Sequence, residues 1–473
     1  MLALIAKQAE LGADEGQQGE LAQHMLAHLI CNQRRTVTGL LSALGRRQQD
    51  WSKAYRLYRL HVDEQAVFRP VLDGVLQLLP PGMPLVVALD DTYLKKTGKH
   101  IAGAGWYKDP LGPQFHVNLI YAQRFIQLSV AIPDPNNPKR SRMIPIAIRL
   151  IPKLPKPAKD ASKADWGRYE QLRAMNSPGA HAQRLLQQVR DHLDAHADQQ
   201  CRSIWACGDG DYSNSTLMPY LPARTVYIGR TRADIFLRDV PKPPEHRCVG
   251  RPSAYGQQLP APEQLRKDTS TPWHSAEICN GPKTTTVRYK HISHAKWHVA
   301  GEKAIVQIVV IAPMRYRKRK NTDWSYTRPA YLICTDANIP VIKLIQAYFW
   351  RWGIEVNFKD EKQLFGVGQT QVRTSTSVLS APAICIATYA ALLLAGIQTY
   401  GFNARPPSVI PPKWYTRKQN QRPTCSDLIQ QLHQDLFLRA ADNFSPLALN
   451  TLSNISPEKF TNIAQLDSKS HVA

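Results

Sequence analysis

Hydrophobic and polar positions divide this chain into stretches of different period. Over residues 1–80 the apolar positions recur every three to four residues, and the pattern predicts helices. LAQHMLAHLICNQ reads as one helix. RRTVTGLLSALG reads as a second, with Val37, Leu40, Leu41 and Leu44 on one face. Gly45 closes it, and RRQQDWSKAYRLYRLHV opens a third. Pro80, Pro81 and Pro84 mark a boundary, after which PLVVALDD, HIAGAGWY, FHVNLIYAQ and FIQLSVAIP have the apolar, β-rich texture of strands. Residues 134–160 read as a Pro- and Lys-rich connection, and 163–199 as a long helical stretch. It leads into RSIWACGDGDYSN, a strand ending on acids. Three or four strands, a helix and another strand predict a mixed α/β sheet.

Residues 222–335 change texture again. VRYKHISHAKWHV, AIVQIVVIAP and AYLICT predict strands among frequent Pro and Gly, as in a β-rich subdomain inserted into the sheet protein. Helical periodicity returns over 338–365. VLSAPAICIATYAALLLAGIQ (378–398) carries no charge and is long enough to span a bilayer. It is Ala-rich, contains Pro382 and follows a charged amphipathic helix, so a buried core helix and no membrane partner are expected. Residues 401–473 read as a Pro-rich polar tail, with the last twenty or so expected to be disordered. The boundaries are therefore 1–80, 81–221, 222–335, 336–400 and 401–473.

Charge narrows the partner. Lys and Arg total 60 against 37 Asp and Glu, a net +23, which favours a polyanion such as nucleic acid. Residues 222–335 hold 20 Lys/Arg and 8 Asp/Glu, about half of that excess. Val, Ile, Leu and aromatics occur throughout, which excludes disorder for the bulk of the chain. The 8 cysteines are scattered without a CxxC pair, as in a reducing compartment. The start, MLALIAKQAELGADEG, lacks the charged-then-apolar order of an export signal, so a cytoplasmic location is expected. The basic N-terminal helices, with Trp51, Tyr55 and Tyr58 interleaved, suit either DNA contact or a bundle with a solvated basic face.

Phosphodiester chemistry on two divalent metals needs carboxylates converging from separate elements. Three places qualify. In PLVVALDDT a buried strand runs into Asp90 and Asp91; period two puts them on opposite faces, so one should point into a site. In SIWACGDGDYSN, Asp209 ends an apolar strand between Gly208 and Gly210, with Asp211 as its competitor. A calcium loop is rejected there, because the sixth-position glycine and twelfth-position glutamate are missing. In AYFWRWGIEVNFKDEKQLFG, Tyr348, Arg351, Glu355 and Lys362 fall within roughly 60° of one helix face. Glu355 would supply metal oxygens, with Arg351 and Lys362 facing phosphates.

Tyr348-x2-Arg351-x3-Glu355-x6-Lys362 resembles the YREK signature of bacterial insertion-sequence DDE transposases. LDDTYLKKTGKHIAGAGWYKD is similar to the first-aspartate block of the branch described as DDE superfamily endonucleases, and GDGDYSN resembles its second-aspartate block. Gly250-Arg251-Pro252 with Tyr255-Gly256, between the second-aspartate block and the YREK residues, resembles an element of the same branch, and RRTVTGLLSALG resembles its first helical part. The resemblance covers roughly residues 30–400. It implies an RNase H-like mixed sheet core (81–221 and 336–400) interrupted by the β-rich basic insertion, with a helical N-terminal DNA-binding region. It implies Asp90, Asp209 and Glu355 as catalytic and metal-binding residues. Within the acid pairs, the family places its first acid two before a Thr or Ser, here Thr92, and its second three before an aromatic, here Tyr212. Mg²⁺, with Mn²⁺ as substitute, is the implied cofactor. Tyr348, Arg351 and Lys362 would position DNA.

The RYRKRK run offers Arg315, Arg317, Lys318, Arg319 and Lys320 to phosphates, with no Asp or Glu from Met314 to Asn321. His291, His294 and His298 have ligand-like spacing, but their flanks are strand-like, so a DNA-facing strand is preferred to zinc. No nucleotide-binding glycine pattern appears, and strand transfer needs none. The expectation is an insertion-sequence transposase that cuts terminal inverted repeats and joins them to target DNA. It would act as a homodimer on double-stranded DNA, associated with the nucleoid when bound. The alternatives are a DDE nuclease on other substrates or a domesticated DNA-binding regulator. A hairpin intermediate fits by the same resemblance.

Overall fold

The computed structural model describes residues 1–59, 62–110, 112–113, 115–241, 253–281, 283–317, 322–404, 406–407, 409 and 422–441. Residues 1–395 form one compact unit and 396–473 a second. In the second, the helix α12 (Cys425–Ala441) lies within the stretch whose composition reads as a polar tail.

The N-terminal stretch is helical: α1 (Leu2–Gly12), α2 (Glu15–Ile30), α3 (Val37–Ala43), α4 (Ser52–Arg59) and α5 (Arg69–Leu78). Thr36 caps α3 through Gly39 N–H, and Gly45 turns the chain at φ +69°, as its place after Leu44 predicts.

Six strands follow: β1 (Leu85–Lys95), β2 (Gly105–Lys108), β3 (Leu119–Asp134), β4 (Asn137–Ile151), β5 (Ile204–Gly208) and β6 (Thr225–Arg230). β4 pairs antiparallel with β3, and β3 antiparallel with β1. β1 pairs parallel with β5, and β5 parallel with β6. This spatial order, β4-β3-β1-β5-β6, with three antiparallel strands followed by two parallel ones, gives the RNase H-like mixed α/β core. Helices α6 (Lys163–Met175) and α7 (Pro178–Asp194) make the crossover from β4 to β5. They replace the single long helix read over 163–199: Ser177 caps α7 and Pro178 occupies its first turn.

Two strands differ from the sequence expectation. FHVNLIYAQ and FIQLSVAIP belong to one strand, β3, and the supposed connection over 134–160 contains β4. Pro145 disguised it. The β3–β4 register shifts at Leu128/Ser129, opposite Ala147 and Pro145, and such a bulge tolerates a residue without an N–H.

Beyond β6 the sheet continues. It adds β14 (Ala330–Cys334), β11 (Val306–Ile311), β10 (Lys283–Ala295) and β9 (His274–Asn280), all antiparallel. The strands of 222–335 therefore extend the core sheet, and β6 itself completes it. Two small ribbons, β7 (Leu237–Arg238) with β8 (Gln258–Leu259) and β12 (Arg315–Tyr316) with β13 (Ser325–Tyr326), and the short helix α8 (Pro262–Lys267) complete the region. Gly250, Arg251 and Pro252 lie outside the described residues.

The helices α9 (Val341–Trp350), α10 (Gly353–Gln363) and α11 (Ser377–Tyr400) follow. α9 and α10 pack on the sheet face built from Val86, Ala88, Met143, Cys207, Ile228, Val309 and Leu332, through Leu344, Ile345, Ala347 and Ile354. α11 is long and apolar enough to cross a membrane, but 94% of its apolar window is buried within the protein.

Candidate functional site

Period-two alternation aims the first acid. Val86 and Ala88 face α9 and α10, so Asp90 faces them too, while Asp91 projects on the opposite side. β1 does not end at the acid pair as expected; it runs on to Lys95. Its parallel pairing with β5 does end there, at Ala88 opposite Cys207. Asp90 therefore emerges where the two strands part. Trp205 and Cys207 face the same helices, and Asp209 follows directly after β5. Its Oδ1 accepts the Asp211 N–H at 3.0 Å and caps a short 3₁₀ turn, Gly210–Tyr212. Gly208 keeps that turn close to the sheet, since a Cβ there would lie 2.7 Å from the Tyr227 hydroxyl oxygen.

The third acid rides on α10, whose seat is specified by its neighbours. Trp350 Nε1 donates to the Lys139 carbonyl at 2.7 Å, and Asn357 Nδ2 to the Met143 carbonyl at 3.1 Å, both on β4. A Cβ on Gly353 would meet Met143 Cγ at 2.5 Å, so only glycine lets the helix start this close to β4. The single helix expected over 338–365 is broken at Arg351 and Trp352. There the N–H groups of Arg351, Ile354 and Glu355 bond three residues back. The tightened turn keeps Tyr348, Arg351 and Glu355 together. Lys362, in the last turn of α10, is exposed and shares its surroundings with Glu361 and Lys95.

Arg351 is the centre of the cluster. Its Nη1 donates to Asp90 Oδ2 at 3.0 Å, its Nη2 lies 3.7 Å from Glu355 Oε1, and its guanidinium carbon sits 5.6 Å from the Tyr348 ring centroid. The expectation had Arg351 facing phosphates; here, largely buried, it bridges two acids. Burial pushes the Asp90 carboxyl up to about 7, with Arg351 and the Asp91 N–H opposing and Asp209 and Asp91 adding to the rise. Burial also raises Asp209, reinforced by Asp211, and raises Glu355, reinforced by Asp209 and opposed by Arg351. Three carboxylates thus share one cation and resist ionising together, a deficit that divalent cations relieve. An all-carboxylate donor set is hard and oxygen-only, and fits Mg²⁺ or Mn²⁺.

The competing acids have other partners. Asp91 Oδ2 and Oδ1 accept Arg124 Nε and Nη2 at 2.7 and 2.9 Å, and Oδ1 also accepts the Tyr212 hydroxyl at 3.1 Å. Asp211 is exposed. Arg124 escaped sequence reasoning, its one available signal being a lone arginine inside the apolar run of β3, and Tyr212 served there only to mark Asp209, not as a partner of Asp91. In the basic run, which holds no Asp or Glu from Met314 to Asn321, Arg315 and Arg317 stack on Trp324, at 4.1 and 4.3 Å from its ring centroid. Lys318, Arg319 and Lys320 lie outside the described residues. His291 and His294 lie on β10 and His298 in a 3₁₀ turn, and His291 Nε2 meets Gln307 Oε1 at 3.0 Å.

The family model for DDE superfamily endonucleases matches residues 13–302. The chain belongs to the DDE superfamily endonucleases. Among curated proteins no match is found. The matched span includes Asp90 and Asp209 and stops before Glu355. Membership puts this endonuclease among enzymes of nuclease and transposase type that work with divalent metal ions.

Proposed function

We propose that this endonuclease is an insertion-sequence transposase of the YREK group, cutting at terminal inverted repeats and joining the freed ends to target DNA. The observation that carries the reading is the convergence of Asp90, Asp209 and Glu355, from two adjacent strands and one helix, around Arg351. Asp90, Asp209 and Glu355 would hold the divalent ions, Mg²⁺ with Mn²⁺ as substitute. Bound ions would activate the attacking oxygen and stabilise the leaving one.

The chain's own residues do the rest. The capped turn after β5 fixes the backbone of Asp209, and the Asp91 N–H fixes one oxygen of Asp90 at 2.8 Å. Arg351 holds Asp90 and Glu355 against their mutual repulsion; with the acids neutralised by cations, its guanidinium is available to a phosphate. Tyr348 packs beside Arg351 and limits its directions. Arg315 and Arg317, stiffened on Trp324, and Lys362 present charge to the duplex backbone. Double-stranded DNA would be bound by a homodimer in the bacterial cytoplasm, at the nucleoid.

Terminal-repeat DNA from the flanks of the coding region, incubated with protein, Mg²⁺ and a supercoiled plasmid, tests this reading. Covalent joining of 3′-hydroxyl ends to the plasmid is expected. Cleavage without joining would leave a DDE nuclease acting on other DNA, and binding without either would leave a regulator.

A further inference from the structure

A second group of metal-ligating side chains lies away from the acid cluster. Asp73 on α5, His192 in the last turn of α7 and His196 just beyond it bring one carboxylate oxygen and two ring nitrogens within 4.8 Å of one another. His192 Nε2 and Asp73 Oδ1 are 2.7 Å apart. His196 Nδ1 is 2.8 Å from the His192 carbonyl. A carbonyl can only accept, so that contact puts the His196 proton on Nδ1 and leaves the Nε2 lone pair free. Such an outer hydrogen bond is the usual means of orienting a ligating imidazole. The two rings stand 4.8 Å apart, one helical turn from each other.

We propose that Asp73, His192 and His196 form a binding site for a divalent transition cation of zinc type. Two imidazoles and one carboxylate suit zinc, and poorly suit magnesium. Tetrahedral bonds of about 2.0–2.1 Å place donors about 3.3 Å apart, so Asp73 and His192 separate slightly and His196 closes in by side-chain rotation. His196 is exposed, which leaves the fourth position to water. The site joins α5, which leads into the strand of Asp90, to α7, which leads into the strand of Asp209. Its role is a clasp between the N-terminal helices and the core crossover, independent of the acid cluster.

The test uses the full chain carrying Asp90→Asn, Asp209→Asn and Glu355→Gln, so that the acid cluster cannot contribute. Equilibrium dialysis against Zn²⁺ should find one ion per chain, and Co²⁺ should give the visible absorption of a four-coordinate site. Adding His196→Ala, at an exposed position where folding is not at stake, should weaken Zn²⁺ binding at least about tenfold and abolish the Co²⁺ band. Zn²⁺ should raise the unfolding temperature of the parent and not of the His196→Ala protein. Absence of bound Zn²⁺ in the parent, or equal binding after His196→Ala, overturns the proposal.

Discussion

Replacing Asp90 by Asn should make the metal-free protein more stable, although it removes an ion-pair partner. Burial holds the Asp90 carboxyl at about 7 against an ordinary value of 3.8. That elevation corresponds to about 4 kcal/mol favouring the protonated form in the fold. The folded state therefore binds the proton more tightly than the unfolded chain. Stability is fully present below about pH 4 and is lost as pH rises towards about 7. Asn mimics the neutral acid and lacks that loss. The value of about 7 already includes the attraction of Arg351, which keeps Glu355 at 3.7 Å in the variant, so the gain should approach about 4 kcal/mol at about pH 8. Urea unfolding in chelator at about pH 5 and about pH 8 should show the variant's advantage growing with pH. Mg²⁺ should then stabilise the wild type and not the variant. A variant less stable at both pH values, or an advantage independent of pH, would refute the reasoning.

Two further predictions concern Asp91 and the basic run. Asp91→Asn leaves the largely buried Arg124 guanidinium without its bidentate partner and should cost about 2–4 kcal/mol in urea unfolding, while cleavage persists in the folded fraction. A folded Asp91→Asn protein that cannot cleave, beside an active Asp90→Asn protein, would show that the acids have been assigned the wrong way round. Changing Arg315 and Arg317 together to Gln should weaken binding to all duplex sequences alike and flatten the log–log salt slope by up to about 1.8; an unchanged slope in a salt titration would make the Trp324 stack purely structural.

Much of this architecture is legible in the chain because its signals are local. Apolar runs ending in acids locate Asp90 and Asp209, and the alternation of β1 separates Asp90 from Asp91. What was not legible depends on partners distant in sequence. Pro145 reads as a breaker until β3 supplies the bulge that accommodates it. The continuous periodicity over 338–365 hides the tightened turn at Arg351 and Trp352, which arises as Trp350 and Gly353 fit against β4. The ion pair of Arg351 with Asp90 was not legible, because the two residues lie 261 positions apart. The extension of the sheet by the strands of 222–335 is equally non-local, since a composition shift cannot say which edge those strands join. Asp73 and His192 are 119 residues apart and follow no metal-ligand spacing.

The central claim is that Asp90, Asp209 and Glu355 act together as a metal-dependent cleavage centre. Glu355 is its most exposed test, because the family match ends at residue 302 and the assignment rests on geometry and spacing alone. The direct measurement is Mg²⁺-dependent nicking of terminal-repeat DNA by the wild type and by Glu355→Gln, with DNA affinity measured in parallel without metal. The account predicts a loss of nicking of about a thousandfold or more, with affinity nearly unchanged, because the swap keeps shape and removes the charge that holds a hard cation. Nicking by Glu355→Gln at the wild-type rate would contradict it.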